Sequence, residues 1–394
     1  MTRFSRDTAT PPPAFSDAEF VSRRTALLDR AARHGAGAVL AYGANRSGSA
    51  VGWLTGWPVT REAAVLLAAD APVRLLVGFA NHVPNARRIA RHAEVRPTGE
   101  RIEDTLAGLL AGLGRNLTLG VVGPLPARLA TALTAHADLV ELDADYIRLR
   151  QVKSAEELDW LRFAAALTDA SARALARASV PGATELDLSA AVEAAYAGTG
   201  ATNHVHYLAV TSMTAPDRCV PGQWPTDRRV EAGSVVTFEL STAWGQDYPG
   251  QLLRTLTMKA EPTPLYRELH AVAEAALAAI VAVLRPGATA AQILGAAAVI
   301  GEAGFRTVDD LVHGLGGGYL PPVVTHRVPQ PSGLDAEPLR AGMTVVVQPN
   351  VCTADLRAGV QTGELFEITD DGARSLHRFP AGMLVAGPIR LGEP

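Results

Sequence analysis

One arrangement of residues occurs twice in this chain, and it constrains the fold more than any other feature. Residues 181–184 read Pro-Gly-Ala-Thr and open a helix-like stretch; residues 286–289 read the same and open another. Downstream of the first copy comes Ala232-Gly233-Ser234-Val235-Val236-Thr237-Phe238-Glu239, and downstream of the second comes Ala341-Gly342-Met343-Thr344-Val345-Val346-Val347-Gln348. When the two strand-like runs are superimposed, Glu239 falls opposite Gln348. A duplicated helix–strand unit builds a pseudo-symmetric site between its halves, with one polar residue from each central strand. Two acids there would spell a divalent-metal site, but one of the two is an amide.

The elements around the repeat follow from local signals. Ser154 with Glu157 forms a capping box, each satisfying an orphan amide of a helix start. Leu158, Leu161, Ala165, Thr168, Ala172 and Leu175 then recur on one helical face. This predicts a helix to about Ala178, closed by Pro181-Gly182. In the second copy Thr263-Pro264 starts a helix, with proline tolerated at its first position, and Pro286-Gly287 closes it. Thr184 and Thr289 cap shorter helices ending at Gly198 and near Gly304. Each half then delivers a strand pair, residues 235–241 with 252–258 and residues 344–349 with 364–369. Residues 38–42, 64–67 and 73–77 are apolar runs suited to buried strands. They belong to a first α/β domain over residues 16–149, ahead of a second domain over 150–394, and residues 1–15, with Pro11-Pro12-Pro13, read as a disordered tail.

Composition excludes several classes. A chain of 394 residues is too long for one ordinary core. The net charge of −4 leaves no basic footprint, so nucleic acid is not an expected partner. No apolar run reaches the ~20 residues that span a membrane. The two cysteines, Cys219 and Cys352, lack CxxC spacing, which excludes a cysteine zinc site and argues against a disulfide framework. A reducing, cytoplasmic setting is the expectation.

Glu239 stands inside an apolar run, where a carboxylate is costly unless paired, hydrogen-bonded or protonated. It is a candidate for chemistry, or else a structural partner for Arg254 on the next strand. His313, followed by Gly314-Leu315-Gly316-Gly317-Gly318-Tyr319, can present its ring to a cleft because its neighbours are small, with Tyr319 beside it. Alternation along a strand predicts that His204 and His206 point to one face. Tyr248, Gln251 and Arg254 lie on or before the partner strand of Glu239, and Glu364 heads the strand next to Gln348.

With these residues in place, the chain resembles the creatinase/aminopeptidase P/methionine aminopeptidase superfamily, the pita-bread fold of the M24 family. Residues 150–157 look like that family's linker, His313-Gly314-Leu315-Gly316 like its His-Gly motif, and Ala341-Gly342-Met343 like the run ahead of its next strand. The resemblance implies an α+β architecture, with an N-terminal creatinase-like α/β domain and a C-terminal pita-bread domain holding an internal pseudo-two-fold. It also implies a homodimer, in which Trp53, Trp57 and Arg61 are candidates to cover the partner's site.

The family's metallopeptidases hold two ions with Asp, Asp, His, Glu and Glu. Carried over, the first Asp falls at Glu239 or Leu240, the second at Gln251, the His at His313, the first Glu at Gln348 and the last at Gly363 or Glu364. Amides are poor substitutes for carboxylates that must offset two divalent ions. The resemblance therefore implies the metal-free branch of creatinase and ectoine hydrolase, with no cofactor. The expected function is metal-independent hydrolysis of a non-peptide C–N bond in a small polar substrate, of amidine, amide or guanidino type. In it Glu239, Glu364 and His313 carry the acid/base chemistry. Gln348, Gln251, Arg254, Tyr248, His204, His206 and Tyr319 hold the substrate. The alternatives are a metal-dependent Xaa-Pro aminopeptidase or dipeptidase, and the same scaffold reused for cyclisation, elimination or binding alone.

Overall fold

The structure is a computed structural model that describes residues 12–386, except 46, 115, 246 and 329. The chain divides into two compact units, one spanning Ala14–Arg150 and the other beginning at Gln151. Residues 1–11 of the expected tail lie outside the described residues. At its end, Phe15 packs edge-on against Phe20, and the Arg23 guanidinium lies 4.0 Å over its ring, so the predicted looseness stops short of residue 15.

The first unit is a six-stranded mixed sheet with helices. Its strands are β1 (Ala38–Ala44), β2 (Glu62–Ala68), β3 (Arg74–Val77), β4 (Glu94–Pro97), β5 (Leu117–Val122) and β6 (Ala137–Glu141), in the order β4-β3-β2-β1-β5-β6. Its helices are α1 (Asp17–Arg33), α2 (Ala50–Thr55), α3 (Val83–Ile89), α4 (Ile102–Ala111), α5 (Ala127–Thr134) and α6 (Asp143–Gln151). The central strands are buried on both faces, which is why they read as unbroken apolar runs. Trp53 and Trp57 are buried in this unit's core, where the sequence reading had offered them as a lid; Arg61 sits over the Phe79 ring.

In the second unit α7 (Ala155–Ala178) starts at the Ser154–Glu157 capping box, an arrangement that contributes about 1 kcal/mol. Then come α8 (Glu185–Tyr196), β7 (Thr202–Ser212), β8 (Ser234–Trp244) and β9 (Tyr248–Met258). The second copy gives α9 (Pro264–Val283), α10 (Ala290–Ala296), α11 (Val299–Glu302), β10 (Val312–Leu315), β11 (Tyr319–Val324) and β12 (Thr344–Val347). A short hairpin of β13 (Val351–Cys352) and β14 (Gly359–Val360) precedes β15 (Gly363–Ile368), β16 (Ala373–Ser375) and β17 (Leu384–Ala386). The large sheet runs β11-β10-β12-β15-β9-β8-β7, so the copies meet where β9 pairs antiparallel with β15.

The duplication is visible bond by bond. Gly182 N donates to Val230 O and Gly287 N to Leu339 O, each at 2.8 Å. Val230 N returns to Ala183 O and Leu339 N to Ala288 O, again at 2.8 Å. Ahead of β8 and β12, Gly233 and Gly342 take φ of 81° and 80°, a left-handed turn that glycine adopts without a Cβ penalty. Their amides donate to Met258 O and Ile368 O, the carbonyls near the ends of β9 and β15. Among the described residues, no helix is long and apolar enough to cross a membrane.

Candidate active site

Alternation along the strands sorts the polar residues of the sheet onto two faces. Phe238, Leu240, Leu252 and Leu256 pack into the core with residues of α7 and α8, while Val345 and Val347 pack with α9. Glu239, Gln251, His313 and Gln348 have the opposite parity and share the other face. The register agrees: Ser241 pairs with Gln251, Glu239 with Leu253, and His313 with Val346.

On this face Gln251, which is buried, joins the two halves. Its Nε2 donates to Glu239 Oε1 and to Gln348 Oε1, each at 2.9 Å. Gln348 in turn reaches the His313 side chain. His313 is 2% exposed and stacks on Tyr319 with ring centroids 4.2 Å apart and planes at 19°. Its Nδ1 lies 3.2 Å from Gly314 O. A carbonyl only accepts, so Nδ1 carries the proton and Nε2 presents its lone pair. The Tyr319 hydroxyl donates to Asp310. Gly363 closes the approach from β15: a Cβ there would meet Val347 O at 2.2 Å and Gln348 Cα at 2.8 Å. The last acid of the family's set could not stand at Gly363 in this backbone.

Electrostatics follow from burial. Burial pushes the Glu239 carboxyl up to about 8, helped by the nearby charges of Asp309 and Asp310, so it holds its proton at neutral pH. Burial holds the His313 imidazole down to about 4, so it is neutral. Asp309 is also pushed upward by burial, against the opposing hydrogen bond from Asn350 Nδ2 at 2.9 Å. The sequence reading missed Asp309, Asp310 and Asn350. An Asp-Asp pair just ahead of the apolar Leu311-Val312 was the available signal. Tyr207, paired in register with Glu239 on the same face, was missed as well.

Glu364, Arg254, Tyr248 and His206 are placed elsewhere, each a correction with a geometric cause, while His204 lies near enough to His313 to act on it electrostatically. Glu364 pairs in register with Val347 and with Leu252, which puts it on the helix-facing side. There it forms an ion pair with Arg254. Arg254 spends its other donors on Pro380 O, Leu253 O and Gly363 O, at 3.0, 2.9 and 2.8 Å, all within the scaffold. Tyr248 is on that side too, donating to Glu157 of α7 at 2.6 Å and packing edge-on to Trp160. His204 and His206 do not share a face. The register shifts between Asn203 and Val205, a bulge that breaks alternation. His206, opposite Leu240, is buried with its Nε2 3.1 Å from the Tyr196 hydroxyl of α8, while His204 is exposed near the strand's start.

Residues 159–370 match the model of metallopeptidase family M24. The chain belongs to that family. The probable dipeptidase PepE of Mycobacterium tuberculosis is 28% identical over 241 residues, 60% of this chain; the match spans 61% of that relative's length. The Xaa-Pro dipeptidase of Pyrococcus furiosus is 26% identical over 271 residues, 68% of this chain and 75% of the relative. The crystal structure of dipeptidase PepE from Mycobacterium ulcerans superposes with a TM-score of 0.78 and 24% identity, over 94% of this chain and 99% of that one, and establishes the shared fold.

These findings correct the metal-independent, creatinase-type reading and its non-peptide C–N substrate: the family is one of metallopeptidases, and these relatives carry peptidase names. The amide at Gln348 does not take the chain out of the family. The side chains on the site face do not fit a pair of divalent ions. They offer one carboxyl, one imidazole and two carboxamides, which supply little charge to offset such ions. Among the described residues, no group of three or more His, Cys, Asp or Glu side chains could hold a metal ion.

Proposed function

We propose that this chain is a peptidase of dipeptide-sized substrates, with Xaa-Pro dipeptides as the first class. The observation that carries this reading is the half-buried, proton-holding Glu239, locked by Gln251 at the junction of the two halves. The names of the relatives supply the bond type. Once water adds to the scissile carbonyl, the leaving nitrogen must gain a proton before the C–N bond breaks. Glu239 keeps a proton at neutral pH and is positioned to give it up. Such a general acid contributes roughly 10²–10⁴-fold. Gln251 fixes the carboxyl, and Gln348 with the Nε2 lone pair of His313 provides hydrogen-bonding partners for the amide and the attacking water.

The test is a panel of Xaa-Pro and other dipeptides, incubated with the purified full chain. Parallel arms contain manganese, cobalt or zinc salts, or a chelator. The expected result is release of free proline in at least one arm, abolished by Glu239→Gln. Folded protein that cleaves no dipeptide in any arm would overturn the reading.

A further inference from the structure

Cys219 and Cys352 are 133 positions apart, in the loop after β7 and on β13, yet the backbone brings them together. Arg218 forms a bridge with Ala358, and Arg357 Nε donates to Pro216 O at 3.2 Å. The loop is thereby pinned to the far strand of the β13–β14 hairpin. Cys352 stands directly opposite Gly359 in that hairpin. Cys219 packs against the same glycine, so closely that a Cβ on Gly359 would meet Cys219 O at 2.1 Å. The two thiols are in side-chain hydrogen-bond contact. Cys352 also donates to Arg306 O at 3.3 Å. Both thiols are free; Cys352 is buried and Cys219 half-buried, so the pair is approached from the Cys219 side.

We infer that Cys219 and Cys352 form a redox-active dithiol, closed to an intramolecular disulfide by hydrogen peroxide. The Cys219 sulfur attacks the peroxide, the O–O bond breaks, one water leaves and a sulfenic acid forms. The Cys352 sulfur then attacks Cys219, the S–O bond breaks, the S–S bond forms and a second water leaves. The two sulfurs lose two electrons in total and the peroxide gains them. Burial raises both thiols above their ordinary pKa, so the reaction quickens toward alkaline pH. The hairpin begins just after Asn350, which holds Asp309; the bridge would therefore tie the loop to a segment bordering the site face.

The test treats the native full chain with hydrogen peroxide, then unfolds it, alkylates remaining thiols and measures intact mass and tryptic peptides. The expected product loses about 2 Da, takes up no alkyl group and yields a linked Cys219–Cys352 peptide. Dithiothreitol restores two alkylations. Cys352→Ser stops at a sulfenic acid on Cys219 that a dimedone probe captures. Gly359→Ala, which displaces the Cys219 backbone, slows bridge formation at least tenfold. Two thiols that remain alkylatable in the treated wild-type chain, or disulfides that join separate chains only, would overturn the inference.

Discussion

The two faces of the large sheet are built from the same strands and reach opposite ends. On β9, Gln251 belongs to the site while Arg254, three residues on, belongs to the scaffold. On the face bearing Glu239, polar groups are held close together without a counter-ion, so a carboxyl keeps its proton and an imidazole stays neutral. On the helix-facing side the buried charges are paired: Glu364 with Arg254, and Arg254 with three carbonyls.

Four measurements would break or sharpen this contrast. The largest effect belongs to the site face. Glu239→Gln keeps an acceptor for Gln251 and removes the proton, so kcat/KM on a cleaved dipeptide should fall by roughly 10²–10⁴, with the Tm unchanged or raised. A Glu239→Gln enzyme with normal turnover would break the contrast outright.

Next is the scaffold face. Arg254→Ala leaves Glu364 as an unpaired, largely buried charge and three carbonyls without their donor. It should cost roughly 3–5 kcal/mol in urea unfolding, while kcat per folded molecule stays within about threefold. A collapse of kcat at unchanged stability would return Arg254 to the substrate.

The third is a pH effect. The folded chain keeps the Glu239 proton up to about pH 8, whereas the ordinary value is 4.5. The unfolded chain therefore binds fewer protons between these values, and wild-type stability falls as pH rises through that window, with no further loss from this group above it. Against Glu239→Gln, which lacks the titration, the wild type should lose roughly 3–4 kcal/mol between pH 5 and pH 8. Parallel curves would show that Glu239 does not carry the raised pKa. If the protonated form does the work, turnover also declines above about pH 8.

The smallest effect is at His206. Its ring is bonded to Tyr196 on the helix-facing side, so His206→Ala should cost about 1–2 kcal/mol of stability and leave kcat/KM unaltered. A tenfold loss of kcat/KM would place the ring at the site after all.

The fold was legible in the sequence because its signals are local and repeated. The capping box at Ser154, the Pro-Gly closures and the paired Ala-Gly turns at Gly233 and Gly342 each demand one backbone conformation. Glu239 and Gln348 could be brought together because they fall at matching places in the two copies; Gln251 and His313 joined them only through the resemblance. Glu364 could not be placed, because a slip of one residue in a strand exchanges its faces and the sequence does not fix the slip. The structure does, by pairing Glu364 with Val347. His204 and His206 failed for a related reason: a bulge is invisible to a rule of strict alternation. Asp309 and Asp310 were missed because they precede β10 in irregular chain, which periodicity does not address. The amide at Gln348 was carried too far, from a single residue to a branch of the family, and the family match with the relatives' names overturns that step.

The contrast between the two faces rests on Glu239, and not Glu364, being the acid of the site. The most direct measurement compares kcat/KM for an Xaa-Pro dipeptide, together with the Tm, in Glu239→Gln and Glu364→Gln made side by side. The account predicts at least a hundredfold loss of kcat/KM at an undiminished Tm for Glu239→Gln. For Glu364→Gln it predicts a lowered Tm with kcat/KM within about threefold of wild type. The reverse pattern, turnover lost in Glu364→Gln with the Tm intact and retained in Glu239→Gln, would contradict it.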